Sequence, residues 1–75
     1  MPRLDLREIP PPERHPLIRE AFDEMAAGET LTIVNDHEPK PLFYEFQADV
    51  DEFDADGYEV ERAAPGEYHA ELPKR

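Results

Sequence analysis

At 75 residues with neither cysteine nor serine, the chain is expected to form one domain with a small core, and disulfides, thiolate metal sites and cysteine or serine nucleophiles are excluded. Its 19 acidic residues against 8 Lys and Arg give a formal net charge of −11, which disfavours nucleic acid as a partner and implies strong self-repulsion. Apolar runs of only a few residues, no apolar leader and no glycine-rich phosphate loop point to a soluble cytoplasmic protein, away from membranes and without nucleotide hydrolysis.

Residues 2–7 alternate Leu4 and Leu6 with charged neighbours, which predicts a short half-buried strand. Pro10, Pro11 and Pro12 have no N–H to donate, so the strand ends before them. Pro16 is tolerated in a first helical turn, and Leu17, Ile18, Ala21, Phe22 and Met25 then recur on one helical face. With Gly28 as a left-handed stop, a helix is predicted over residues 16–26, with His15 at its boundary.

Residues 29–35 are rich in β-branched side chains and place Leu31 and Ile33 on one face of a second strand. Asn35 or Asp36 can cap a second helix over residues 39–48, with Pro39 and Pro41 in its first turn and Leu42, Phe43 and Phe46 as its apolar stripe. Residues 49–56 read as a solvated, mobile acidic loop held only by Val50 and Phe53. Residues 58–62 and 67–72 alternate as strands around a Pro65-Gly66 type II turn, with Tyr68, Ala70 and Leu72 on one face and His69 on the other. Residues 73–75 read as a charged tail.

The order is β-α-β-α-β-β. A right-handed parallel crossover followed by an antiparallel hairpin predicts an α+β two-layer sandwich, a four-stranded mixed sheet with both helices on one face. The expected core is Leu4, Leu6, Ile9, Leu17, Ile18, Phe22, Met25, Leu31, Ile33, Leu42, Phe46, Val60 and Leu72. Phe43, Tyr58 and Tyr68 are expected beside it.

Leu4-Asp5, the proline turn and Gly28-Glu29-Thr30-Leu31 fall at spacings that resemble the small sulfur carriers of the TusA/SirA type. The resemblance implies one TusA-like domain over residues 1–75. The reactive cysteine of the family's Cys-Pro-x-Pro turn falls on Pro11; Pro12 matches the next proline, and Arg14 stands at the second. Cysteine-dependent sulfur transfer therefore does not carry over.

Residues Leu4 to Arg7, Pro11 to Pro16 and Asn35 to Leu42 are closer still to a family catalogued only as a domain of unknown function, number twenty-two forty-nine. That similarity extends to about Phe46 and weakens beyond it, where tyrosines stand for the family's common tryptophans. It implies no established activity. Members often stand beside hemerythrin-like or other metal-binding domains, so it implies a redox or nitrogen-oxide context and a hemerythrin-like or other redox protein as partner.

If the first two strands are parallel, both strand-to-helix turns lie at one sheet edge, where open α/β sheets bind ligands. That edge would collect Arg7, Arg14, His15, Asp36, His37 and Lys40, with two helix N-termini favouring an anion. The reading adopted is a non-catalytic binding or interaction module that requires no cofactor. The alternative is a metal- or anion-binding redox accessory protein using His15 and His37, with a carboxylate completing a two-histidine-one-carboxylate set. Simpler roles compete: His15 bonding a turn carbonyl or capping the first helix, Asp36 capping the second, His69 lying at the surface.

The many carboxylates and the two lysines, Lys40 and Lys74, read as a salt-adapted surface of haloarchaeal type. Raising KCl from about 0.1 M to 1 M shortens the Debye length from about 10 Å to about 3 Å. The thermal midpoint should therefore rise steeply with KCl and then level off. Coincident melts in low and high KCl would show that carboxylate repulsion does not limit stability.

Overall fold

Alternation in the segment Thr30–Asn35 sends Leu31 and Ile33 to one face, where both are fully buried, and this segment is the inner strand β2. The computed structural model describes residues 3–75. Around β2 stand β1 (Arg3–Asp5), α1 (Pro11–Glu24), α2 (Lys40–Asp49), a 3-10 turn at Ala55–Gly57, β3 (Glu59–Ala64) and β4 (Glu67–Pro73). Pro2, placed in the first strand by the sequence pattern, lies outside the described residues.

The sheet order is β1-β2-β4-β3. β1 runs parallel to β2 with Leu4 opposite Ile33, and β4 runs antiparallel to both β2 and β3. This is the α+β arrangement that the order of elements predicts. Ala70 and Leu72 of β4 share the core with Leu31 and Ile33, and α1 and α2 cover it with Ile18, Phe22, Leu42 and Phe46. Phe22 is fully buried and meets Phe46 edge-on at 5.2 Å and Phe53 at 6.2 Å between ring centroids. Such edge-to-face pairs add about 0.5–1.5 kcal/mol to simple burial.

The helix α1 begins at Pro11, not at Pro16. The φ that a proline ring imposes is helical, and a first turn needs no N–H, so the residues that end β1 also start α1. Pro16 consequently falls inside the helix. The buried face runs through Arg14, Ile18, Phe22 and Met25, which puts Leu17 on the flank, 38% exposed rather than in the core. Leu4, Ile9 and Val60 are only partly buried at the core's margin, whereas Val34, Val50, Phe53 and Ala70, absent from the expected core, are buried.

Val34 lies on the face away from the helices. There Arg7 reaches Asp5 of β1 at 2.7 Å and Glu67 of β4 at 3.0 Å, tying the two strands together across β2. The turn expected between β3 and β4 is present, with Gly66 at φ +74°, a left-handed value that its missing Cβ permits.

The residues after Leu72 are not a loose tail. Lys74 exchanges backbone hydrogen bonds with Gly28 and Glu29, each at 2.8 Å, and forms a bridge with Phe53. Its ammonium donates to the carbonyls of Phe22, Asp23 and Met25 at 2.8–3.2 Å and lies 5.4 Å from the centre of the Phe22 ring. A cation here satisfies the orphan carbonyls and the negative end of α1. The acidic stretch before the 3-10 turn is pinned by the same end of the chain, through Asp54 N to the Pro73 carbonyl and Arg75 N to the Glu52 carbonyl.

Replacing Lys74 by Met should destabilise the fold by about 1–2 kcal/mol, because three carbonyls lose a charged donor. The matching change at Lys40, whose partner Glu38 is 3.9 Å away at the surface, should stay within about 0.5 kcal/mol. Urea unfolding of the two variants checks this. Equal effects would mean that Lys74 does not close the end of α1.

Candidate functional site

Asn35 continues the inward alternation of Leu31 and Ile33 and closes β2 with a polar side chain that is only 5% exposed. Its Oδ1 accepts from Arg14 Nη1 and from the Asp36 backbone N–H, both at 2.9 Å. Arg14 enters from the first turn of α1 and is 6% exposed. Its Nε donates to the Ile9 carbonyl at 2.8 Å, and its two Nη atoms reach Asp36 at 3.0 and 3.3 Å. A buried guanidinium is tolerable only when paired and hydrogen-bonded, and here three different acceptors do this. The guanidinium, with the His37 ring as a second donor, holds the Asp36 carboxyl well below the usual range, at about 2.

Beside this cluster lies a cavity of about 120 Å³ at the edge where β2 ends and the two helices begin. Pro11, Ile18, Pro39, Pro41 and Leu42 supply its apolar walls. Arg14, His15, Asn35 and His37 supply its polar ones. The early start of α1 places His15 one turn inside the helix, where Nδ1 faces Glu45 of α2 at 3.2 Å and makes no cap. His37 Nδ1 lies 2.7 Å from Asp36 Oδ1. A ring nitrogen facing a carboxylate oxygen carries the proton, so each neutral ring is left with Nε2 as an acceptor.

The helix starts differ from what an anion seat requires. Pro11 and Pro12 have no N–H, and Glu13 N–H is taken by the Pro10 carbonyl at 2.9 Å. At α2 the N-cap is Pro39, Lys40 N–H is taken by the Glu38 carbonyl at 3.0 Å, and Pro41 has none. Neither helix has a side-chain cap, so the expected capping by Asn35 or Asp36 gives way to their contacts with Arg14. The dipole remains, but most of the N–H donors that make a helix start an anion site are missing or occupied.

The structure gathers Arg14, His15 and His37 of the expected site residues at the cavity, with Asp36 behind them. Arg7 and Lys40 do not line it. Arg7 is engaged with Asp5, whose carboxyl it holds down at about 2, and with Glu67. Lys40 is exposed beside Glu38. Among the described residues no group of three His, Cys, Asp or Glu side chains is gathered closely enough to hold a metal ion, so the two-histidine-one-carboxylate set is not assembled. His69 is half-buried on the far face of the sheet, with Nε2 2.7 Å from Glu67. Asn35, one of the two residues able to cap the second helix, does not cap it; its parity with Leu31 and Ile33 is the sign in the sequence that it faces inward.

The fold is thus a small α+β sandwich with a proline-walled cavity at one sheet edge. Residues 3–74 match the family described as uncharacterized conserved protein (DUF2249), and the chain belongs to that family. The match runs through the C-terminal half, where the motif resemblance is weaker. No curated protein and no solved structure matches the chain.

Asp36 has a folded value, about 2, below its ordinary 3.8, so its pairing favours folding above the ordinary value and is lost as pH falls toward the folded one. The difference in melting temperature between the native chain and Asp36→Asn should be constant above about pH 5 and close between about pH 4 and 2. A difference that does not change over that interval would mean that Asp36 is not ion-paired in the folded state.

Proposed function

We propose that the protein is a small non-catalytic binding module on a sulfur-carrier-like scaffold, with the cavity beside Arg14 and Asp36 as its seat. One observation carries the reading: a single cavity receives polar side chains from α1, from the end of β2 and from the following turn, against an apolar proline wall. Pockets with a few fixed polar groups in an apolar lining are the usual form of small-ligand sites. The scaffold likeness rests on Leu4-Asp5, on Gly28 to Leu31 and on the β-α-β-α-β-β order. Pro11 at the cysteine position leaves binding as the activity such a scaffold can perform. The family resemblance supports a hemerythrin-like or other redox protein as the partner.

A second reading, a metal- or anion-binding redox accessory protein, is favoured by one observation: His15 and His37 line the same cavity. Two-dimensional NMR separates the two. Under the binding-module reading, small uncharged fragments shift the resonances of Arg14, His15, Ile18, Asn35 and His37, while Zn²⁺ shifts no ring selectively. Selective movement of the His15 and His37 rings with Zn²⁺, with His69 unchanged, would establish the second reading. Fragment shifts confined to the far face of the sheet would overturn the cavity as the seat.

A further inference from the structure

Two donors converge on Asn35 Oδ1, the Arg14 Nη1 and the Asp36 backbone N–H. Turning the amide over would set its NH₂ group against both of them, so its orientation is fixed by the fold. Nδ2 therefore points the other way, and it donates to no acceptor among the described residues. It is not sealed in protein either: among those residues the Tyr58 hydroxyl is the side-chain atom buried without a partner. A 95% buried residue thus presents an unused, pre-oriented donor at the cavity it lines. An acceptor on a ligand in the cavity would meet this pre-oriented donor in place of solvent.

The surroundings decide the charge of that ligand. Arg14, the one guanidinium at the cavity, is neutralised by Asp36. Glu45 stands behind His15, and the proline helix starts offer few N–H donors. Among the described residues Arg14 is the only Lys or Arg that lines the cavity, and it is paired, so an anion meets no unpaired cationic side chain in that lining. A cation would have to share Asp36, which already accepts from Arg14 through both oxygens and from His37 through one. The lining offers one unengaged donor, Asn35 Nδ2, and the rings of His15 and His37, whose Nδ1 atoms already face carboxylates, in an apolar setting.

We propose that the cavity takes an uncharged carboxamide with a short alkyl substituent: its carbonyl accepts from Asn35 Nδ2, its N–H donates to a histidine Nε2, and its alkyl part meets Ile18, Leu42 and the prolines. This rests on the cavity being the binding seat. The volume agrees with a group of that size. A dry cavity of about 150 Å³ holds benzene, so about 120 Å³ accommodates the five heavy atoms of propionamide. The amide has two sources, a free small molecule or the side chain of a glutamine on a protein partner.

The test is NMR titration of the native chain with propionamide, with sodium propionate at matched ionic strength, and with the capped peptide acetyl-Ala-Gln-Ala-amide. Propionamide is expected to shift Asn35, His15 and His37 at millimolar concentration, at least tenfold more tightly than propionate. Tighter binding of the peptide than of propionamide would assign the amide to a protein partner, and the reverse to a free ligand. Asn35→Asp keeps the Oδ1 acceptor and replaces the donor, and should weaken propionamide about tenfold. Propionate binding as tightly as propionamide, or a folded Asn35→Asp chain binding propionamide unchanged, would overturn the amide assignment alone. If no compound shifts a cavity residue, both the assignment and the cavity as the seat are wrong. The comparison on the native chain stands even if Asn35→Asp does not fold.

Discussion

The Arg14 guanidinium holds three parts of the chain in one place: the turn after β1 through the Ile9 carbonyl, the end of β2 through Asn35, and the turn toward α2 through Asp36. Removing a charge of this kind from water is unfavourable, and replacing a buried ion pair by apolar groups is often neutral or stabilising. Arg14 bonds the Asn35 amide oxygen and both oxygens of Asp36, and α2 has no side-chain cap. His37, bonded to Asp36, lies beside the cavity. The polar wall of the cavity is therefore built around one side chain, which is itself ion-paired.

The prolines act on both sides of the same site. As fixed-φ residues they begin α1 and flank the start of α2 without side-chain caps. As residues without N–H they remove most of the donors that a helix start would offer an anion. As rings they line the cavity with apolar surface. A chain with a net charge of −11 has little positive potential to draw in anions, and the proline walls agree with that.

The far end of α1 is closed from a distance. Lys74, fifty-two positions from Phe22 in sequence, supplies the cation that the helix itself lacks, since its last turn carries no basic residue. The final residues are thus held against both the end of α1 and the acidic stretch before the 3-10 turn. The open face of the sheet is organised separately, by Arg7 crossing from β1 to β4 with Val34 buried on that face.

Local pattern alone determined the element order, the strand faces and most of the core. Alternation at Leu31 and Ile33, the helical recurrence of Ile18, Phe22 and Met25, and the Pro65-Gly66 turn each require only near neighbours in sequence. Pattern could not separate a proline that ends a strand from one that begins a helix, since both need the same φ and no N–H. Tertiary contacts decided that the helix starts at Pro11, and with it that Leu17 is exposed and His15 lies one turn in. They also decided the roles of the polar residues. Arg14, Asn35, Asp36 and Lys74 carry groups that bond equally well to water, to a ligand or to the chain. Only the distances between segments far apart in sequence show which partner each one has.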